Sequence, residues 1–124
     1  MSTGIVVFAH GSRVASANDA VRAVVADLGK AGGFDLLEAA FLELGHPNLE
    51  VAVRRLVGRG ATQIVVVPYF LTLGTHLERD LPALVKAVGV QHRGLDVTVT
   101  APLDGHPALL QILLDRIATV AIKA

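Results

Sequence analysis

The sequence predicts a single α/β domain over residues 1–124, in which helices flank a four-stranded parallel sheet in a three-layer (βα)4 arrangement. Three observations support this prediction. Four short apolar stretches recur along the chain, each is followed by apolar residues at helical spacing, and successive stretches begin about 30 residues apart, the length of one βα unit. Strands that alternate with helices form parallel sheets with helices on their faces.

The four predicted strands differ in their expected burial. The first and third strands, at 4–9 and 63–68, are continuously apolar, which is typical of strands covered on both faces. The second strand covers 36–42. The fourth covers 95–101 and alternates valine with threonine, which indicates an edge strand with one wetter face.

Four predicted helices follow these strands, with glycine or proline near their ends. They cover 18–28, 47–58, 76–88 and 107–122, and Pro82 is expected in the first turn of the third if that helix proper begins near Asp80. The last helix is apolar over more than one stripe. Its side chains expected to point inward are Leu109, Leu110, Leu113, Ile117 and Val120.

Composition excludes several functional classes. Eleven basic and 11 acidic residues give a net charge of zero, which argues against nucleic-acid or acidic-membrane binding. The chain is 52% hydrophobic, yet its longest apolar run, 64–71, contains a proline and is too short to span a bilayer. It has no cysteine and no recognisable signal peptide, so we expect a cytoplasmic protein.

Histidines and one carboxylate follow the predicted strands. His10, Glu43, His46, His76 and His106 all come just after a strand, and parallel sheets bind ligands at that edge. A carboxylate directly after an apolar strand indicates a charged or metal partner. Imidazole and carboxylate without cysteine suit divalent iron, cobalt, nickel or zinc, and they also accept protons. His46 and His106 each precede a proline at a helix start, and we expect each of them to cap its helix or to be exposed.

Other segments at this edge have more than one interpretation. Tyr69–Leu71 suits either the core or an apolar wall for a flat ligand. Gly11–Arg13 can bind a phosphate at a helix N-terminus, although neither common phosphate-loop motif is present. A serine hydrolase is disfavoured because Ser12 lies in no GxSxG motif. His92 is expected in a solvated loop at the opposite edge.

The chain carries, in order from residue 5 to about 116, a set of short motifs: His10-Gly11-Ser12-Arg13 followed by Asn18; Ala39–Leu44; Val67–Leu71; Gly74 and His76; Asp80-Leu81-Pro82; Pro102-Leu103; and His106-Pro107. This ordered set resembles the small class II sirohydrochlorin chelatases of the CbiX/SirB type. The resemblance implies a chelatase-like fold and an ATP-independent enzyme that inserts Co²⁺, Fe²⁺ or Ni²⁺ into sirohydrochlorin or a related tetrapyrrole. It further implies that the metal is a substrate, that no cofactor is tightly bound, and that the chain forms a homodimer.

The resemblance also assigns roles by position. His10 and His76 match the two active-site histidines of the family, and Glu43 matches its strand-end glutamate. We expect these three residues to hold the metal and to accept the pyrrole protons. An apolar wall for the macrocycle and donors for its peripheral carboxylates are expected from Ser12, Arg13, Tyr69, Phe70, Leu71 and Arg79.

Two other functions compete with a chelatase. A non-enzymatic carrier of metal or tetrapyrrole would use the same pocket, and a binder of small phosphate ligands would use the Gly11–Arg13 turn. The sequence leaves the physiological metal open, because iron, cobalt and nickel share these ligands.

Overall fold

Strands and helices alternate along the chain, as the sequence predicts. A computed structural model describes residues 2–120. The elements are β1 (Thr3–Ala9), α1 (Ala15–Gly32), β2 (Leu37–Phe41), α2 (Leu49–Gly58), β3 (Gln63–Pro68), α3 (Thr75–Gln91), β4 (Asp96–Val99) and α4 (Pro107–Ala118).

The four strands form one parallel sheet in the order β2-β1-β3-β4. Ile5 of β1 lies opposite Leu37 on one side and opposite Val65 on the other. The continuously apolar strands β1 and β3 therefore occupy the centre, and the threonine-containing β4 is an edge strand, as expected. The strand order reverses between β1 and β3, which is where open parallel sheets bind ligands.

Each face of the sheet packs against different helices. On one face, Val6, Phe8, Ile64 and Val66 form a core with side chains of α2 and α3. On the other face, alternate positions of β1 and β2 pack against Val21 and Val25 of α1. Helices on both faces make the three-layer arrangement that the sequence predicts.

Helix ends differ from the predicted ones for identifiable reasons. Helix α1 continues through Gly29 and ends at Gly33, whose φ of 69° terminates the helix. Asn48 caps α2 by accepting a hydrogen bond from the backbone N–H of Val51, so the preceding proline lies outside the helix. Helix α3 starts at Thr75, which corrects the prediction for Pro82: it lies inside the helix and not in its first turn.

Helix α4 contradicts the prediction that its apolar residues point inward. Leu109 is half-buried, but no residue of α4 is fully buried. Its large aliphatic side chains are 49–64% exposed, namely Leu110, Ile112, Leu113, Leu114 and Ile117, and Val120 just beyond the helix is also exposed. Ile122, the predicted end of the helix, lies outside the described residues. None of the helices within residues 2–120 is both long enough and apolar enough to cross a membrane.

Candidate active site

The loops that follow β1 and β2 are joined side by side at the carboxyl edge of the sheet. The backbone N–H of Leu42 donates to the carbonyl of Ala9, and that of Glu43 donates to the carbonyl of His10 at 3.1 Å. The parallel pairing of the two strands thus continues one step beyond the sheet. This continuation brings His10 and Glu43 together.

His10 and Glu43 form a solvent-facing pair. His10 Nε2 lies 3.8 Å from Glu43 Oε1, and both side chains are more than half exposed. The other ring nitrogen, Nδ1, lies 3.2 Å from the carbonyl oxygen of Gly11. A carbonyl only accepts hydrogen bonds, so this contact places a proton on Nδ1, and in the neutral ring Nε2 is then the unprotonated nitrogen that faces the carboxylate. In that form a nitrogen lone pair and a carboxylate face each other and can bind a cation.

Gly11 makes this arrangement possible. Its φ of +94° lies in the region that favours glycine. A Cβ atom built there would lie 1.6 Å from the carbonyl oxygen of Glu43. Any side chain at this position would therefore push the two loops apart.

The turn after β1 also bears on phosphate binding. The backbone N–H of Ser12 donates to Asn18 Oδ1, and the N–H of Val14 donates to Ser12 Oγ. Two amides that a phosphate would need are thus already used within the turn. This argues against the phosphate-binding alternative. The role of Asn18 was not predicted from the sequence, although this residue belongs to the motif that carries the resemblance.

The segment Tyr69–Leu71 forms an apolar surface beside His10. The Phe70 ring lies 6.2 Å from that of Phe8 and 6.5 Å, edge-on, from the His10 imidazole, measured between ring centroids. Tyr69 and Leu71 are exposed. Backbone hydrogen bonds from Tyr69 to Phe8 and from the β4–α4 loop to Phe70 and Leu71 hold the segment in place.

His76 lies in the first turn of α3, with Arg79 one turn further along the helix. Arg79 Nη2 is 3.2 Å from His76 Nδ1. Because arginine only donates, Nδ1 must accept, and neutral His76 then carries its proton on Nε2. In this arrangement Arg79 occupies the Nδ1 lone pair that a metal would need.

The predicted ligand set is therefore brought together only in part. Within residues 2–120, no three histidine, aspartate or glutamate side chains are grouped so that they could hold a metal ion. Only the His10–Glu43 pair is assembled, while His76 is paired with Arg79. Arg13, the other expected carboxylate donor, is exposed on the β1–α1 turn.

Of the remaining histidines, His106 and His46 match the predictions made for them and His92 does so only in part. His106 caps α4 by accepting the backbone N–H of Ala108, and His46 is exposed. His92 follows α3 at the opposite edge of the sheet, where it is half-buried and not fully solvated.

Several known proteins resemble the chain. The CbiX family model matches residues 4–120. The chloroplastic sirohydrochlorin ferrochelatase of Arabidopsis thaliana is 34% identical over 114 residues, which are 92% of this chain and 51% of that protein. The sirohydrochlorin cobaltochelatase of Saccharolobus solfataricus is 32% identical over 120 residues, covering 92% of each chain.

A solved structure shares the fold. The sirohydrochlorin chelatase SirB from Bacillus subtilis subspecies spizizenii, in complex with cobalt, matches with a TM-score of 0.89 at 26% identity, covering 98% of this chain and 52% of that chain. The chain thus spans about half the length of the Arabidopsis and Bacillus proteins and nearly all of the Saccharolobus protein.

Proposed function

The chain belongs to the CbiX family, and on this premise we propose that it is an enzyme that inserts a divalent metal ion, Co²⁺, Fe²⁺ or Ni²⁺, into sirohydrochlorin. The relatives are named for cobalt and for iron insertion, which supports a metal as substrate. We further propose that the reaction needs neither ATP nor a tightly bound cofactor.

The observation that carries this proposal is the His10–Glu43 pair. First-row divalent ions bind imidazole nitrogen and carboxylate oxygen at bond lengths of about 2.1 Å, so two atoms 3.8 Å apart can bind one ion. A site with two protein ligands holds a metal loosely, and a metal in transit to a macrocycle must leave its first ligands. Open coordination is therefore suited to transfer, whereas a closed site would store the ion.

Insertion also requires proton acceptors. The metal forms bonds to the macrocycle nitrogens, and the two pyrrole N–H groups release their protons. We propose that the Glu43 carboxylate offsets the charge of the ion and takes one proton as the metal passes to the macrocycle, and that a nitrogen of His76, or of His10 once the metal has left it, takes the other. His76 joins after Arg79 has turned from its ring toward the substrate.

The substrate is flat and carries carboxylates at its rim. We propose that Tyr69, Phe70 and Leu71 form the apolar wall against which the macrocycle lies, since this segment borders His10 and is held by backbone hydrogen bonds. Arg13, Arg79 and the Ser12 hydroxyl would donate to the carboxylates.

We propose that two copies of the chain pair through α4, whose aliphatic side chains are exposed. We also propose that residues 1–124 form one domain and that the protein is located in the cytoplasm. One relative is named as chloroplastic.

A visible-spectrum assay tests the activity. Sirohydrochlorin is mixed under anaerobic conditions with limiting Co²⁺, Fe²⁺ or Ni²⁺, with and without a catalytic amount of protein. We expect many turnovers per chain for at least one metal, and the rates rank the metals. If spectra change only in proportion to the protein added, the chain is a non-enzymatic carrier. If no metal is inserted faster than without protein, the chelatase assignment is wrong.

A further inference from the structure

Asn18 stands apart from the other residues of α1. It is the only fully buried residue of this helix, 8% exposed, and the only buried polar residue among residues 2–120. Its Oδ1 accepts the backbone N–H of Ser12, and its Nδ2 donates to the carbonyls of Ser12 and Leu44, all at 2.9 Å. Both amide hydrogens and one oxygen lone pair are thus used on backbone groups.

These three hydrogen bonds join the two loops that carry the His10–Glu43 pair. Ser12 lies two residues after His10, and Leu44 lies directly after Glu43. Leu44 adopts a φ of 57°, which is uncommon for leucine, and its carbonyl points to the Asn18 amide. Asn18 therefore holds both loops by hydrogen bonds, while its own side chain is buried and does not belong to the exposed His10–Glu43 pair.

We propose that Asn18 is a positioning residue: by hydrogen bonding Ser12 and Leu44 together it sets the separation of His10 Nε2 and Glu43 Oε1. This inference rests on the proposed function only for its catalytic consequence. Other side chains cannot make the same three bonds. Aspartate keeps the acceptor for Ser12 but turns a carboxylate oxygen toward two carbonyl oxygens, and leucine of similar size makes none of them.

Amide hydrogen exchange tests the geometry without substrate. In Asn18→Leu, and in Asn18→Ser should the first variant fail to fold, we expect the Glu43 amide, which donates to His10, to exchange about tenfold faster or more. The Ile5 amide is the internal control, because it donates to Leu36 at the opposite end of the same strand pair. Equal acceleration at both amides would indicate general destabilisation, and no change at Glu43 would show that Asn18 does not couple the loops; either result overturns the proposal.

Steady-state kinetics test the catalytic consequence. We expect Asn18→Asp to lower kcat about tenfold or more with little change in KM, and to do far less in a Glu43→Gln background, because both changes disturb one pair. Thr62→Ala is the control: it removes the hydrogen bonds between Thr62 and Ser2 at the opposite edge of the sheet and lies in neither loop, and we expect kcat to be unchanged.

Losses from Asn18→Asp and Glu43→Gln that simply multiply would overturn the positioning role. If the wild-type chain inserts no metal, the proposed function fails, and hydrogen exchange alone then decides whether Asn18 sets the geometry of the pair.

Discussion

At the scale of single residues, the two histidines proposed for the active site make contacts that favour opposite tautomers. The Gly11 carbonyl makes His10 Nδ1 a donor, which leaves Nε2 unprotonated toward Glu43, whereas Arg79 makes His76 Nδ1 an acceptor. In the chain without substrate, His10 is ready to bind a cation and His76 is not. We therefore expect His10 and Glu43 to take the metal first and His76 to act once the macrocycle has bound.

Removing either member of the His10–Glu43 pair should greatly reduce metal insertion. We expect His10→Ala and Glu43→Gln each to lower kcat/KM by about 10² or more, the usual contribution of a proton-transfer group. His92→Ala, a histidine at the opposite edge, should change it by less than about twofold. Rates are measured from the visible spectrum at limiting metal. Wild-type rates in both site variants would show that the pair is not part of the site.

Arg79 should act on substrate binding. Arg79→Gln removes one charge-assisted hydrogen bond to a substrate carboxylate, so we expect KM for sirohydrochlorin to rise about tenfold with kcat within about threefold. Arg93→Gln, a change of the same type in the α3–β4 loop, is the control and should leave KM as it is. A fall in kcat at constant KM would instead place Arg79 in the chemistry of His76.

The sequence predicted where single residues lie better than it predicted the tautomers of the histidines. That His10 and Glu43 meet follows from their place after neighbouring parallel strands, because such strand ends share one edge. The tautomers could not be predicted, since they depend on where the Gly11 carbonyl and the Arg79 guanidinium lie. The sequence predicts Asn18 as the first residue of a helix, where asparagine is common, but α1 begins three residues earlier and Asn18 is buried against the backbone of Ser12 and Leu44.

At the scale of elements, the site depends on how closely the loops after β1 and β2 approach. Gly11 lets the Glu43 carbonyl approach closely, and Asn18 hydrogen bonds both loops. The β4–α4 loop supports the Tyr69–Leu71 segment in the same way, through backbone hydrogen bonds. Loops on a rigid sheet thus supply every proposed functional residue except those at the start of α3.

Substitutions at two glycines with similar backbone angles can distinguish the cost of backbone strain from the cost of blocking a close approach between loops. Gly11 and Gly60 have φ values of +94° and +104°, but only a Cβ at Gly11 would meet Glu43. We expect Gly60→Ala to lower the free energy of unfolding by about 1 kcal/mol with normal activity. Gly11→Ala should lower it by about 2 kcal/mol or more and abolish activity. Urea unfolding and the insertion assay check both, and equal losses of stability would show that the approach of Glu43 does not matter.

The sequence predicted the existence and type of each strand and helix well, because apolar residues recur along them at a regular spacing. It predicted the ends of the helices poorly. All four strands lie within two residues of their predicted bounds, and the largest difference is at the carboxyl end of β4, which is two residues shorter than predicted. Helix ends depended on which glycine adopts a positive φ, and here Gly33 does so while Gly29 stays helical. Pro82 removes one backbone donor and its ring crowds the preceding turn, yet α3 continues through it and is packed by Leu77, Leu81 and Val88.

At the scale of the whole molecule, the apolar composition has only partly been accounted for. The central strand β1 is buried on both faces, as the pattern predicted, whereas alternate residues of the other central strand, β3, are only half-buried. Helix α4 buries almost none of its apolar residues, because its aliphatic side chains lie at the surface. The sequence could not reveal this, since a helix that is apolar on more than one stripe can face a core or another chain equally well. Exposed apolar patches of this kind mark interaction surfaces.

The oligomeric state provides the test of this surface. If α4 pairs two copies of the chain, sedimentation equilibrium at micromolar concentration should give twice the chain mass. Leu113→Glu and Ile117→Glu place a charge on the exposed face of α4, so each should shift the equilibrium to monomer, because burying an unpaired carboxylate is costly. Val90→Glu makes the same change at an exposed valine of α3 and should leave the dimer intact. A wild-type chain that stays monomeric, or α4 variants that dimerise as well as Val90→Glu, would show that α4 does not form the interface.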